Sequence, residues 1–316
     1  MDSHRNIVVG IDLTGADRLA DAAALGPASR AARDRALEVA KSTKAHVHLL
    51  AALDLDPYAE TIVLESPKSG GASIHSQATR FLESAAKPLR DAGVPTTTEV
   101  AVGRTAETLL ADVQKNRRDL VIVGTRERST LARNLLGSTA LALLRRCPAP
   151  VWVARRAHHH HAERAVLAAI GIGDLAVDVL RAASSIASAT GAALHVLHVV
   201  DLPAAAVLRA GAADRESVEW YRRQRRERAE AEVPRLVAEA LGEGARCSMH
   251  LVDGETADTI LDHARRLEPD VVVLGSVVQS GLRALLLGST AEKVLPALET
   301  SLLLVKPTAT SLPTHR

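Results

Sequence analysis

VVVLGSVVQSGLRALLLGSTAEKVLPALETSLLLV, residues Val271 to Val305, reads as a buried strand, a glycine-started loop, a helix opened by Gly-Ser-Thr and a second buried strand. Residues Leu120 to Val153, LVIVGTRERSTLARNLLGSTALALLRRCPAPVWV, repeat that order. Gly124 and Gly275, Gly137 and Gly288, and Thr139 and Thr290 are each 151 residues apart. A spacing shared by so many landmarks is an internal repeat.

Working outward, Gly103 and Gly254 keep the same spacing, as do Thr105 and Thr256. Before the third strand the spacing drifts, and Asp54 and Asp201 lie 147 apart. Length changes of this kind fall in loops while core elements stay fixed. In the first copy, 7–12, 46–53 and 96–102 read as strands, and 29–42, 73–92 and 106–116 as helices. Gly93 is a helix stop, and Thr105 is the expected N-cap of the third helix. The second copy follows the same order, with strands from Val166, Ala193 and Arg246 and helices from about Leu175, Arg215 and Thr256. Alternating strands and helices imply right-handed crossovers and a parallel sheet. The reading is therefore α/β: two repeated domains, 1–155 and 165–316, each a five-stranded parallel sheet flanked by helices. Residues 156–164 are a polar linker carrying His158 to His161.

The chain has 316 residues, enough for two domains, and 47% apolar residues, enough for two cores. Aromatic residues are only 2%, which argues against stacking platforms for single-stranded nucleic acid. A balance of 39 basic against 37 acidic residues does not suggest a nucleic-acid partner either. No apolar run reaches the ~18 residues that span a bilayer. No secretory leader precedes the first strand, and the two cysteines have no framework spacing. A cytoplasmic protein is the expectation.

In an open parallel sheet, ligands bind outside the carboxyl ends of the strands, where the strand order reverses. The loops after Gly124 and Gly275 leave such ends. The helices that follow start at Gly137-Ser138-Thr139 and Gly288-Ser289-Thr290. Free N–H groups, partial positive charge and hydroxyl donors there suit a phosphate. An ordinary N-cap accounts for the same residues.

At these residues the chain resembles the universal stress protein family in its tandem-domain form. The family's nucleotide motif is Gly, two residues, Gly, nine residues, Gly, then Ser or Thr. Gly124, Gly137 and Ser138 match it, as do Gly275, Gly288 and Ser289. The turns VAVGRTAETLL and LVDGETADTIL and the closing strands CPAPVWVAR and TSLLLVKP match as well. The resemblance implies a Rossmann-like fold of the adenine nucleotide α-hydrolase type in each half. It also implies internal pairing of the two domains, and leaves a homodimer of chains open. It implies a regulatory stress-response module, not a dedicated enzyme, that binds ATP or another adenine nucleotide in at least one domain. A weak ATPase stays open.

Two departures weigh against that. The second motif glycine is Glu127 in one copy and Val278 in the other. The acidic residue that contacts adenine in the family is Asp12 in the first copy, but Gly171 stands there in the second. Arg126, Arg128 and Arg133 could offset Glu127, while the second copy keeps Gly281 and Arg283. The alternative is an interaction scaffold with vestigial phosphate loops.

The remaining candidates read as structural. His46 and His48 share a strand face, whereas His195 and His198 do not. The His158 to His161 tract lacks acidic or cysteine partners for a metal. The stretch Glu219 to Arg228 reads as a solvated, salt-bridged helix face with pairs such as Glu219–Arg223. Its alternative is a docking site anchored by Trp220 and Tyr221. Cys147 reads as a small buried apolar residue. No catalytic motif appears.

Overall fold

The structure is a computed structural model that describes residues 4–13, 25–55, 71–125, 136–155, 164–202, 215–276 and 287–307. The chain divides into two compact units, one running to His158 and the other starting at His159.

The first unit contains β1 (Asn6–Ile11), α1 (Pro27–Thr43), β2 (His46–Leu53), α2 (Gly71–Asp91), β3 (Thr96–Val102), α3 (Thr105–Asn116), β4 (Leu120–Gly124), α4 (Ser138–Arg146) and β5 (Val151–Ala154). The second contains β6 (Ala165–Ala169), α5 (Ala176–Thr190), β7 (Ala193–Val200), α6 (Arg215–Leu241), β8 (Ser248–Asp253), α7 (Thr256–Leu267), β9 (Val271–Gly275), α8 (Ser289–Ala297) and β10 (Ser301–Val305). Strand order is β3-β2-β1-β4-β5 in the first and β8-β7-β6-β9-β10 in the second. The pairings β1–β2, β1–β4, β2–β3 and β4–β5 are parallel. So are β6–β7, β6–β9, β7–β8 and β9–β10. The order reverses beside β1 and beside β6, as in doubly wound sheets.

The central strands are continuous Val, Ile, Leu and Ala, because helices cover both faces. Ile7, Val8, Val9, Leu120, Val121 and Ile122 are fully buried, as are Val166, Leu167, Val271, Val272 and Val273. Trp152 is 1% exposed, with the Arg35 guanidinium 5.3 Å from its ring centroid. Cys147 is buried, as expected of a small apolar side chain.

The expected cap of α3 moves by one residue: Arg104 holds the N-cap position, without a side-chain capping bond, and the helix already begins at Thr105. α7 begins at Thr256 as expected, and Glu255 caps it, its carboxylate accepting the Asp258 N–H at 2.9 Å.

One buried ion pair ties the first unit together. The Arg118 guanidinium donates to Asp112 through Nε (2.8 Å) and a terminal nitrogen (3.0 Å), and to the Asn6 amide oxygen at 2.6 Å. Asp112 also accepts from Asn116 at 2.6 Å. The Asp119 carboxylate accepts the backbone N–H groups of Arg5 and Asn6, fixing the start of β1. Burial pushes the Asp112 carboxyl up, but the bonds from Arg118 and Asn116 and the Arg118 charge outweigh it and hold it below the usual range. Burial and then Arg118 push the neighbouring His48 imidazole down.

Truncating one partner of such a pair leaves an uncompensated buried charge. Arg118→Ala is expected to destabilise the first unit by about 3 kcal/mol in urea unfolding. The double replacement Arg118→Met with Asp112→Leu should recover most of that. Acid has a defined sign here too. Asp112 and His48 both have folded pKa values below their unfolded ones. Their stabilisation is complete above the unfolded values, about 6.5 for His and 3.9 for Asp. It is lost as pH falls through the folded values. Melting temperature should therefore drop steadily from pH 7 to pH 4, by calorimetry, and the Asp112→Asn variant should show a shallower drop below pH 5.

Candidate functional site

In the second unit a cleft of about 670 Å³ opens where β6, β7 and β9 end. Its floor is the last residues of those strands and the loop Gly171 to Leu175. One wall is the start of α8, where Gly288 (φ −62°, ψ 151°) is the N-cap. Gly288, Thr290 and Ala291 face the cleft, as does Gly275. Ser289 is the first residue of α8 and is exposed.

The opposite wall comes from α6, which contributes Arg225 and Arg228. On the same helix Arg222 pairs with Glu219, Arg226 with Glu230 and Asp253, and Arg235 with Glu232 and Glu239. Arg225 and Arg228 have no ion-pair partner among the described residues, and the Arg225 Nε is buried without a hydrogen bond. The arginine stretch is thus not one salt-bridged face. Arg222 and Arg226 are paired with acids, while Arg225 and Arg228 line the cleft without such a pair among the described residues. Glu219 engages Arg222, one residue nearer than expected, at the i,i+3 spacing that also aligns side chains on a helix. Trp220 on this helix is 57% exposed.

Ser276 follows β9 directly and is 4% exposed, and its hydroxyl lines the cleft with no hydrogen-bond partner. A buried hydroxyl left unsatisfied costs about 1–3 kcal/mol, so such groups are uncommon without a ligand or water. Asp201, at the end of β7, accepts the Thr256 hydroxyl at 3.0 Å, and both face the cleft. His198 is 6% exposed and donates through Nδ1 to the Ile170 carbonyl at 2.9 Å. Burial lowers its pKa, the Ile170 carbonyl opposes this and the Arg225 charge adds to it. The imidazole is neutral at pH 7, which leaves Nε2 as an acceptor. Asp174 is exposed at the cleft edge, three residues past Gly171.

In the first unit the corresponding residues are placed as follows. Asp12 follows β1, and its N–H donates to Ser29 Oγ at 3.0 Å in the first turn of α1. Gly137 is the N-cap of α4, with Ser138 and Thr139 as its first residues. Gly124 ends β4, directly under α1. A Cβ on Gly124 would stand 2.1 Å from the Ala28 carbonyl oxygen. In the second unit a Cβ on Gly275 would stand 2.7 Å from Leu175 Cδ2. Helix-on-strand packing therefore requires glycine at Gly124, a role the sequence reading gave to phosphate approach, whereas at Gly275 the Leu175 side chain can give way. Glu127, Val278, Gly281, Arg126, Arg128, Arg133, Arg283 and His158 to His161 lie outside the described residues.

Of the residues singled out in the sequence, the cleft brings together Gly275, Gly288 and Thr290. It adds Ser276, Arg225, Arg228, His198, Asp201 and Thr256, which sequence reasoning did not place there. The one signal available was the i,i+3 spacing of Arg225 and Arg228, and it acquires meaning only once the covered side of α6 is known.

The model of the universal stress protein family matches residues 4–155 and again 163–306. Universal stress protein E of Escherichia coli K12 is 27% identical over 241 residues, covering 73% of this chain and 75% of that protein. The Haemophilus influenzae homologue is 26% identical over 210 residues, covering 64% of this chain and 66% of its own length. Among solved structures, a universal stress protein from Archaeoglobus fulgidus DSM 4304 superposes with a TM-score of 0.63 at 17% identity, covering 97% of this chain and 99% of that one. These structural likenesses bear on the fold. No described helix is long and apolar enough to cross a membrane.

The two glycine contexts are separable. Gly124→Ala drives a Cβ into backbone and should cost about 3 kcal/mol or prevent folding of the first unit. Gly137→Ala, which meets nothing within 4 Å, should cost under about 1 kcal/mol. Thermal melts of the two variants check this.

Proposed function

This chain belongs to the universal stress protein family, and we propose that it is a regulatory module whose second domain binds an adenine nucleotide in the cleft at the ends of β6, β7 and β9. The observation that supports this most is the pairing of unneutralised Arg225 and Arg228 with the orphan Ser276 hydroxyl across from the α8 N-terminus. A polyphosphate would satisfy all of them together: two guanidiniums, a hydroxyl donor and the free N–H groups of a helix start. The apolar floor of Leu197, Val199 and Ile260 suits a base. Asp174 and Asp201 stand where acceptors for ribose or base N–H and O–H groups are needed, so the loss of an acid at Gly171 does not empty the site of carboxylates.

Among the described residues the one hydroxyl–carboxylate pair of the cleft, Thr256 on Asp201, has no third group that orients it. We read the domain as one that holds a nucleotide and signals its presence, with cytoplasmic action as the expectation from cysteine usage. Domains 1–155 and 165–316 are read as separately folding repeats of the family unit.

Isothermal titration with ATP should give one site per chain. Arg225→Ala and Arg228→Ala should each weaken it about tenfold, and Ser276→Ala severalfold. Gly288→Asp, which puts a carboxylate at the helix start, should abolish it. Absence of heat from the wild-type protein at millimolar ATP would sink the reading.

A further inference from the structure

Three side chains occupy matching positions in the two repeats, on the face of the sheet under α3 and under α7. In the first repeat they are His48, Glu99 and Asp112, and in the second His195, His250 and His263. The register makes the match residue by residue. Glu99 pairs with Leu50 and His250 with Leu197, and His48 and His195 stand two residues before those partners. Asp112 and His263 are each the eighth residue of their helix.

The first set is closed by the chain's own cation. Arg118 binds both oxygens of Asp112, and His48 Nε2 lies 3.4 Å from Glu99 and 3.9 Å from Asp112. The ligand-type atoms of this trio lie within 4.8 Å of one another, but a metal there would sit against a buried guanidinium. In the second repeat the residue 151 positions on from Arg118 is Pro269. Among the described residues no cation is paired with the second trio, and its three groups are imidazoles.

We propose that His195, His250 and His263 form a binding site for a divalent transition-metal ion of the zinc class. His195 Nδ1 and His250 Nε2 are 3.1 Å apart. Two nitrogens on a tetrahedral ion with bonds of about 2.0–2.1 Å are separated by about 3.3 Å. Small ring rotations therefore turn the pair from a mutual hydrogen bond to a shared ion. The His263 ring is 5.7 Å from that of His250, and its side chain has to turn toward the pair to complete the set. Its Nδ1 donates to the Thr259 carbonyl at 3.0 Å, which sets the tautomer and leaves Nε2 free. A backbone carbonyl holding the outer nitrogen of a ligating histidine is the usual second layer of such sites. All three rings are half-buried, so water can take the fourth position. Three imidazoles select zinc, nickel or copper over magnesium and calcium. The trio is distinct from the cleft lining: His195 lies five residues, about 16 Å, and His250 three residues, about 10 Å, before the ends of their strands.

The test uses the full chain with His158 to His161 replaced by serine, because that tract can bind the same ions. Zinc titration at pH 7.5, with cobalt absorption as a geometric readout, should give one ion per chain and a tetrahedral visible band. His195→Ala, His250→Ala and His263→Ala should each weaken binding at least tenfold, while His48→Ala leaves it unchanged. If His250→Ala fails to fold, His263→Gln on the outer half of α7 carries the same expectation, with circular dichroism as the folding control. The proposal is overturned if the serine variant binds no zinc, or if its binding survives the loss of His250 or His263. A matching loss in His48→Ala would overturn it as well, by placing the ion in the first repeat.

Discussion

Each repeat depends on one close approach: its first helix lies on the last residue of the strand that reverses the sheet order. At Gly124 the neighbour is the backbone of Ala28, and at Gly275 it is the side chain of Leu175. A Cβ on Gly124 would meet that backbone, whereas at Gly275 the Leu175 side chain would have to give way. In the second repeat the loop after the first strand and the start of the fourth helix both line the carboxyl edge. The cleft of the second unit lies between them. The glycine that opens the motif is thus a packing residue first, and the ligand site follows from the packing it permits.

What the sequence made legible follows from locality. Strands buried on both faces are continuous Val-Ile-Leu runs, and helices with a covered stripe show the 3.6 period. Both signals survive duplication, so the 151-residue spacing exposed the repeat, the parallel order and the helix starts at Ser138 and Ser289. The α3 cap was placed one residue late, at Thr105, because a Thr beside a helix start is a strong local signal. Arg222, Arg225, Arg226 and Arg228 look alike in sequence. Only the packing of α6 against α5 and β7 decides which face the cleft and which face paired acids. The His195, His250 and His263 cluster was invisible for a related reason. Its members come from two strands and a helix and have no spacing of their own. They become a set only when the register of β7 on β8 is known.

The repeats have kept their framework while exchanging charge. At one position Arg118 became Pro269, and around it His48, Glu99 and Asp112 became three imidazoles. The substitutions belong together. Removing a buried guanidinium from a pair of carboxylates would leave anions uncompensated, at a cost of several kcal/mol. Exchanging the carboxylates for neutral imidazoles removes that cost. The first repeat spends its cluster on tying β1 to α3 through Asn6 and Asp112, and the second leaves its cluster unneutralised and open to water on one side.

The same contrast governs the cleft of the second repeat. Without a ligand it holds an unpaired Arg225 and a buried Ser276 hydroxyl, each worth about 1–3 kcal/mol of unmet hydrogen bonding. Nothing in the framework requires either group. The first repeat places Thr125 at the position of Ser276, and its backbone bond to Ala154 mirrors that of Ser276 to Val305. A methyl-bearing or apolar residue would complete the core equally well on structural grounds. A hydroxyl and a guanidinium kept unsatisfied across one cleft lower the stability of the empty domain, and an anion that binds there returns that stability as binding energy. The free-energy gap between the empty and filled domain is then large for the area involved. On the proposed reading, a large gap of this kind would couple nucleotide occupancy to the folded population of the domain.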